Sequence, residues 1–186
     1  MRPLTAAIIA RNEEDRIVEA IRSVSFASEI IVLDSGSSDA TVRLARESGA
    51  RVIETDWPGH VAQKNRAVQA ATYDWILSID ADERVSEELA ESIQGLSVED
   101  EVAGYSFARL SWWMGRPIRH GAWYPDARVR LFDRRRARWV GQNPHDRVQL
   151  DGPSRRLRGR LLHDPYRSLG EHLRTIESYT RISAEE

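Results

Sequence analysis

No cysteine occurs among the 186 residues, which excludes a disulfide framework and a thiolate metal site. Lysine is nearly absent as well: of 27 basic side chains only Lys64 is not an arginine. No apolar run approaches the roughly 20 residues that span a bilayer. The apolar stretch Leu4–Ala10 runs straight into Arg11-Asn12-Glu13-Glu14-Asp15 and so lacks the shape of a signal peptide. These absences point to a cytoplasmic chain. Two nucleotide-binding signatures are missing too. No Gly-x-Gly-x-x-Gly follows the first predicted strand, and no Gly-x-x-x-x-Gly-Lys-Ser/Thr occurs anywhere, which disfavours dinucleotide binding and P-loop chemistry.

What is present is unevenly distributed. The formal net charge of −2 hides two opposed halves: residues 1–108 carry 10 basic and 20 acidic side chains, whereas 109–167 carry 15 arginines against 5 aspartates. Phosphate groups or anionic lipid would be met by the second half, and no nucleic acid partner is expected. Neutralisation of one half by the other in the fold is the competing reading.

The centre of the pattern is Trp75-Ile76-Leu77-Ser78-Ile79-Asp80-Ala81-Asp82-Glu83, an apolar run that stops in three acids. Such a run reads as a buried strand whose carboxyl end emerges at a sheet edge, where ligands bind in open α/β sheets. Asp80 and Asp82, alternating along an extended tip, would face one point, and paired carboxylates suit Mg²⁺ or Mn²⁺ shared with a substrate's phosphates. The plainer reading is a helix start, with Asp82 or Ser86 as N-cap and Glu83 facing the helix dipole.

Around it, strands are expected at Leu4–Ala10, Glu29–Leu33 and Arg51–Glu54. Helices are expected after Asn12 as N-cap, after Ser38 or Asp39, over His60–Ala71 and over Ser86–Leu96. Strand, helix, strand in this order predicts a mostly parallel, Rossmann-like central sheet flanked by helices, with Asn12, Asp34, Asp80 and Asp82 lining one cleft. Gly104–Trp112 and Leu157–His163 read as further strands. Ala127–Asp133 and Ala137–Gly141 read as a hairpin around Arg134-Arg135-Arg136. The loop holding Trp113 and Trp123 is rich in aromatics beside arginines, a good surface for sugar rings or lipid head groups, or else a plug over the core. Leu169, Leu173 and Ile176 mark a final amphipathic helix that needs a partner surface.

Four motifs follow one another in a recognisable order: Ala7-Ile8-Ile9-Ala10-Arg11-Asn12-Glu13-Glu14; Val32-Leu33-Asp34-Ser35-Gly36-Ser37-Ser38-Asp39; Gly59 with Gln63-Lys64-Asn65-Arg66-Ala67; and Leu77–Glu83. With them the sequence resembles the inverting, nucleotide-sugar-dependent glycosyltransferases of family 2, whose fold is called GT-A. Arg130-Leu131-Phe132, Pro144-His145-Asp146 and His163-Asp164-Pro165-Tyr166 look more narrowly like the lipopolysaccharide core β-1,4-glucosyltransferases.

The resemblance implies an α/β GT-A domain over 1–167, its nucleotide-sugar half at 1–100 and an added antiparallel acceptor half at 101–167, followed by a helix at 168–186. It implies a UDP-sugar donor, with glucose as the sugar, bound by Asn12, Glu13, Asp34, Lys64 and Asp80. Asp82 would ligate a Mg²⁺ or Mn²⁺ ion on the diphosphate, with His163 as a further ligand. Asp146 would be the base that takes the acceptor proton, in a place where many relatives carry Glu. Trp113, Trp123 and Arg130 would meet a lipid-linked oligosaccharide acceptor, with peripheral contact to an anionic membrane. Two other functions fit the residues: phosphoryl transfer with Asp80 as nucleophile, weakened by Arg84 where such sites commonly hold Thr, or a nucleotide-sugar-binding module without turnover.

Overall fold

A computed structural model describes residues 3–97, 101–142 and 146–184. Its first half alternates strand and helix: β1 (Leu4–Ala10), α1 (Ile17–Ser23), β2 (Glu29–Asp34), α2 (Thr41–Glu47), β3 (Arg51–Glu54), α3 (His60–Ala70) and β4 (Trp75–Asp80). A short β5 (Glu83–Val85) and α4 (Glu87–Gln94) follow, and then β6 (Gly104–Trp113), β7 (Arg116–Pro117), β8 (Asp126–Asp133), β9 (Ala137–Val140), β10 (Arg147–Leu150), β11 (Ser154–His163) and α5 (Leu169–Ala184).

All seven residues of β1 are buried, because β1 has a parallel neighbour on each side, β2 and β4, and helices cover both faces of the sheet. The pleat splits it between two cores. Leu4, Ala6, Ile8 and Ala10 pack with Ile17, Ala20 and Ile21 of α1, whereas Ala7 and Ile9 pack with Ala67 and Val68 of α3. A strand buried on both faces favours apolar residues throughout, which explains the run, and its one polar member, Thr5, is satisfied by donating its hydroxyl to Glu29 at 2.6 Å. α4 is capped by Ser86, whose hydroxyl accepts from Leu89 N at 3.3 Å, with Glu87 and Glu88 in the first turn.

The main sheet runs β3-β2-β1-β4-β8-β6-β11-β5, with β7 on β6. β1 to β4 are parallel. Beyond them β8 runs antiparallel to both β4 and β6, so the second half is mixed. β2 and β4 leave β1 on opposite sides, the kind of reversal at which α/β sheets open a crevice beyond their carboxyl ends.

Three expectations change. Asn12 does not cap a helix: it lies at φ 55, and α1 starts only at Ile17 after a turn closed on Glu13 O. Asn tolerates that left-handed backbone because its short amide bonds locally, here by accepting from Ser38 N at 2.8 Å. β8 and β9 do not form a hairpin. β8 inserts between β4 and β6, and β9 pairs instead with β10, from Arg147↔Val140 to Leu150↔Ala137. Alternation specifies a strand and leaves its neighbour open, and β8 carries Leu131 and Phe132 that the central cores require. Finally, Asp80 and Asp82 do not share an extended tip: β4 ends at Asp80, and Ala81-Asp82 form a turn into β5.

Candidate active site

A cavity of about 690 Å³ opens beyond the carboxyl ends of β1 and β4. Asp80, Asp82, Lys64, Arg130, Asp146, His163 and Glu13 all line it. Pairing of β4 with β8 stops at Leu77↔Leu131, so the strands part there and make room. On its other side β8 slips register against β6, from Tyr105↔Leu131 to Ser106↔Val129, leaving Arg130 as the extra residue. A bulge of this kind re-aims a side chain. Arg130 is 5% exposed and lies under the cavity floor.

The floor is a chain of ion pairs. Arg130 Nη2 is 3.3 Å from Asp80 Oδ2 and 3.1 Å from Glu83 Oε1. Glu83 is fully buried, and its other oxygen accepts from Asp80 N at 2.9 Å. The third acid of the motif is therefore an internal anchor that fixes both the end of β4 and the guanidinium. Lys64 Nζ stands 3.3 Å from Asp80 Oδ1 and 2.7 Å from Asp146 Oδ2, over the Trp139 ring at 4.4 Å. Arg130 approaches the same ring at 5.2 Å. Burial alone would raise the Asp80 carboxyl; Lys64 and Arg130 outweigh it and hold the group well below the usual carboxylate range. Burial, reinforced by Lys64 one helical turn on, holds His60 below its ordinary imidazole value.

At the opposite wall His163 Nε2 is 3.4 Å from Asp82 Oδ2, while its Nδ1 shares a 3.0 Å hydrogen bond with Ser111 Oγ. Asp82 Oδ1 is buried without a hydrogen-bond partner, as is Arg130 Nη1. Buried polar atoms of this sort are normally satisfied, so both are orphaned within the protein itself. Oxygen and imidazole donors at Asp82 and His163 fit a hard or borderline divalent ion. Among the described residues no group of three such side chains is already drawn together.

Asn12 and Asp34 sit at the same rim, Asp34 beside Ala10 of β1, but neither lines the cavity. The Asp34 carboxylate is buried and accepts from Gly36 N at 3.0 Å, from Ser37 N at 2.8 Å and from the Ser37 hydroxyl. Trp113 and Trp123 also lie outside it. Trp113 Nε1 donates to His172 Nδ1 at 3.1 Å, and Trp123 stacks on the same imidazole at 6.4 Å. Both serve to seat α5, whose Thr175 reaches the cavity wall. Pro144 and His145 lie outside the described residues. Trp139 carries the site without having been singled out from the sequence, whereas Glu83 and Asn65 stand in motifs named there but with no such role assigned to them. Glu83 was open to discovery as an acid too close to a buried strand to stay solvated.

The family model described as "Glycosyl transferase family 2" matches residues 5–150. The lipopolysaccharide core biosynthesis glycosyltransferase LpsC of Rhizobium meliloti is 30% identical over 192 aligned positions, covering 99% of this chain and 71% of that protein. An uncharacterized glycosyltransferase of Rickettsia felis is 47% identical over 95 residues, 50% of this chain and 34% of its own length, so the chain spans about a third of that relative. Among solved structures, S. aureus TarS 1-349 superimposes with a TM-score of 0.52 at 19% identity, over 64% of this chain and 39% of that one, a likeness of fold.

Proposed function

Because this chain belongs to glycosyl transferase family 2 and has the GT-A fold, we propose that it moves a hexosyl group, glucose, from a UDP-sugar to a hydroxyl of a lipid-linked saccharide such as a lipopolysaccharide inner core, with inversion. The likeness to LpsC over nearly the whole chain supports the acceptor class. One observation carries the chemistry: Asp80 and Asp82, at and just past the end of β4, and Asp146 ahead of β10, more than 60 positions on in the chain, line one cavity with Lys64 and Arg130.

In this reading the acceptor oxygen attacks the anomeric carbon while Asp146 takes its proton. The bond from that carbon to the diphosphate oxygen breaks, and its electron pair leaves with UDP. Lys64 meets the diphosphate as a point charge, and Asp80 and Arg130 hold the lysine and the floor in register. Glu13 lines the same wall, with Asn12 and Asp34 shaping the adjoining rim on the nucleotide side. Asp82 and His163 would hold Mg²⁺ or Mn²⁺, which when bound offsets the charge that builds on the leaving group. Phosphoryl transfer through Asp80 is set aside, because that carboxylate is engaged by two cations.

The membrane contact belongs to the same proposal. Leu169, Leu173 and Ile176 are exposed along α5, beside the arginine-rich half of the chain. No helix among the described residues is long and apolar enough to cross a bilayer. Binding to anionic vesicles should weaken as salt rises, and salt-independent binding would refute an electrostatic contact.

The central test is calorimetry with UDP and Mn²⁺. Asp82→Asn should lose metal-dependent UDP binding, and the unaltered protein should release UDP slowly from UDP-glucose. Equal UDP binding by the variant, with and without chelator, would remove the metal role. A panel of nucleotide sugars ranked by thermal stabilisation would identify the donor.

A further inference from the structure

The wall that carries Asp146 is the β9–β10 hairpin, which lies off the main sheet. Two adjacent residues of α3 tie it down by different means. Asn65 bonds the Trp139 backbone in both directions, Nδ2 to the carbonyl at 3.0 Å and Oδ1 from the amide at 3.1 Å. Lys64 reaches the same hairpin through its ammonium alone, which donates to Asp146 and lies over the Trp139 ring. The first tie is fixed by geometry. The second can be exchanged, because a lysine is a point charge on a four-carbon stem.

Lys64 is 3% exposed, so its charge must be answered locally, and Asp146 and Asp80 answer it. As long as the 2.7 Å pair stands, one oxygen of the proposed base is committed to an ammonium. A diphosphate entering the cavity brings more than one negative charge to the same ammonium.

We propose that Lys64 is a donor-operated latch: it holds Asp146 in the ligand-free enzyme and releases it by moving to the donor's diphosphate. This rests on the UDP-sugar reading above and adds to it an order of events. The base becomes available only after the donor is in place, and Asn65 keeps the hairpin seated while the lysine leaves. Lys64 is thus a positioning residue for Asp146 as well as a donor contact.

Since Lys64 is the chain's single lysine, protein grown with lysine labelled at the side-chain ¹⁵N gives one signal from this site. In the absence of ligand, Asp146→Asn should shift that signal away from its position in the unaltered protein. With saturating UDP and Mg²⁺ the two proteins should converge on one position, because the ammonium no longer touches residue 146. Bound signals that stay as far apart as the free ones would overturn the latch. A crystal structure of the unaltered protein with UDP and Mg²⁺ tests the same exchange without a variant. A Lys64–Asp146 distance that remains at 2.7 Å overturns the proposal, and an ammonium on a phosphate oxygen supports it. If calorimetry shows no UDP uptake at all, the donor reading fails and takes the latch with it, a result distinct from UDP bound beside an intact pair.

Discussion

Asn65 grips residue 139 as a neighbouring strand would, donating to its carbonyl and accepting from its amide. A side chain thereby replaces a ladder rung and joins a helix on the donor side to the hairpin that carries Asp146. Asn65→Ala removes both bonds and leaves the amide and carbonyl of the buried Trp139 without their partners. Unfolding free energy should fall by about 1–3 kcal/mol, and amide exchange in residues 137–150 should quicken more than elsewhere. Urea titration and exchange mass spectrometry check the two effects. Unchanged exchange in the hairpin would show that β8 contacts hold it without Asn65.

Glu83 differs from its two acidic neighbours because it faces inward. It has no exposure, and it answers Arg130 at 3.1 Å, Arg109 at 3.6 Å and the Asp80 amide. Glu83→Ala would leave Arg130 in the interior with Asp80 and the more distant Asp146 for compensation. Loss of one member of a buried pair costs about 3–5 kcal/mol, so stability should drop into that range, with UDP binding weakened through Asp80. Glu83→Gln keeps the bond from the Asp80 amide and should lie between. A neutral Glu83→Ala in urea unfolding would contradict the anchor role.

Glu13 offers a test by pH. Burial raises its carboxyl to about 7, against the pull of Arg167 at 2.7 Å. From pH 4.5 to about 7 the folded chain holds a proton that the unfolded chain releases. Through this carboxyl, stability therefore declines as pH rises across that window, and the proton-linked gain is fully present only below it. Glu13→Gln, which mimics the protonated form, should flatten the decline, so its urea midpoint should overtake that of the parent on the alkaline side. Parallel curves for the two proteins would show that Glu13 is ionised throughout.

Arg167 is the fastening of α5. It reaches Glu13 and Asp15 at 2.7 Å and Glu171 at 3.0 Å, while Leu169, Leu173 and Ile176 stay exposed. A helix with its apolar stripe in water depends on such polar fastenings and on the His172 contacts with Trp113, Trp123 and Tyr166. Arg167→Ala should speed exchange and proteolysis in 169–184 and leave the unfolding free energy within about 0.5–1 kcal/mol of the parent. If the whole protein were destabilised instead, α5 would be part of the cooperative core.

Local chemistry made much of this protein legible without coordinates. The apolar run of β1, interrupted only by Thr5, requires burial on both faces, the stop of β4 in carboxylates marks a rim, and Ser86 with Glu87 and Glu88 starts α4, because each signal is completed by its near neighbours in the chain. The motifs around Lys64, Asp82 and Asp146 identified the family on the same footing. What alternation could not specify was the partner of a strand, so β8 joined β4 and β6 and left β9 to β10. Nor could spacing say which acid turns inward. Asp80, Asp82 and Glu83 are close neighbours in the chain, yet one lies between two cations, one pairs with His163 and keeps a buried, unpartnered oxygen, and one is sealed beneath Arg130. Much of that difference comes from Arg130, 50 residues from Asp80 in the chain and brought close by a register slip in β8, because charge in a protein interior is governed by what folding places beside it.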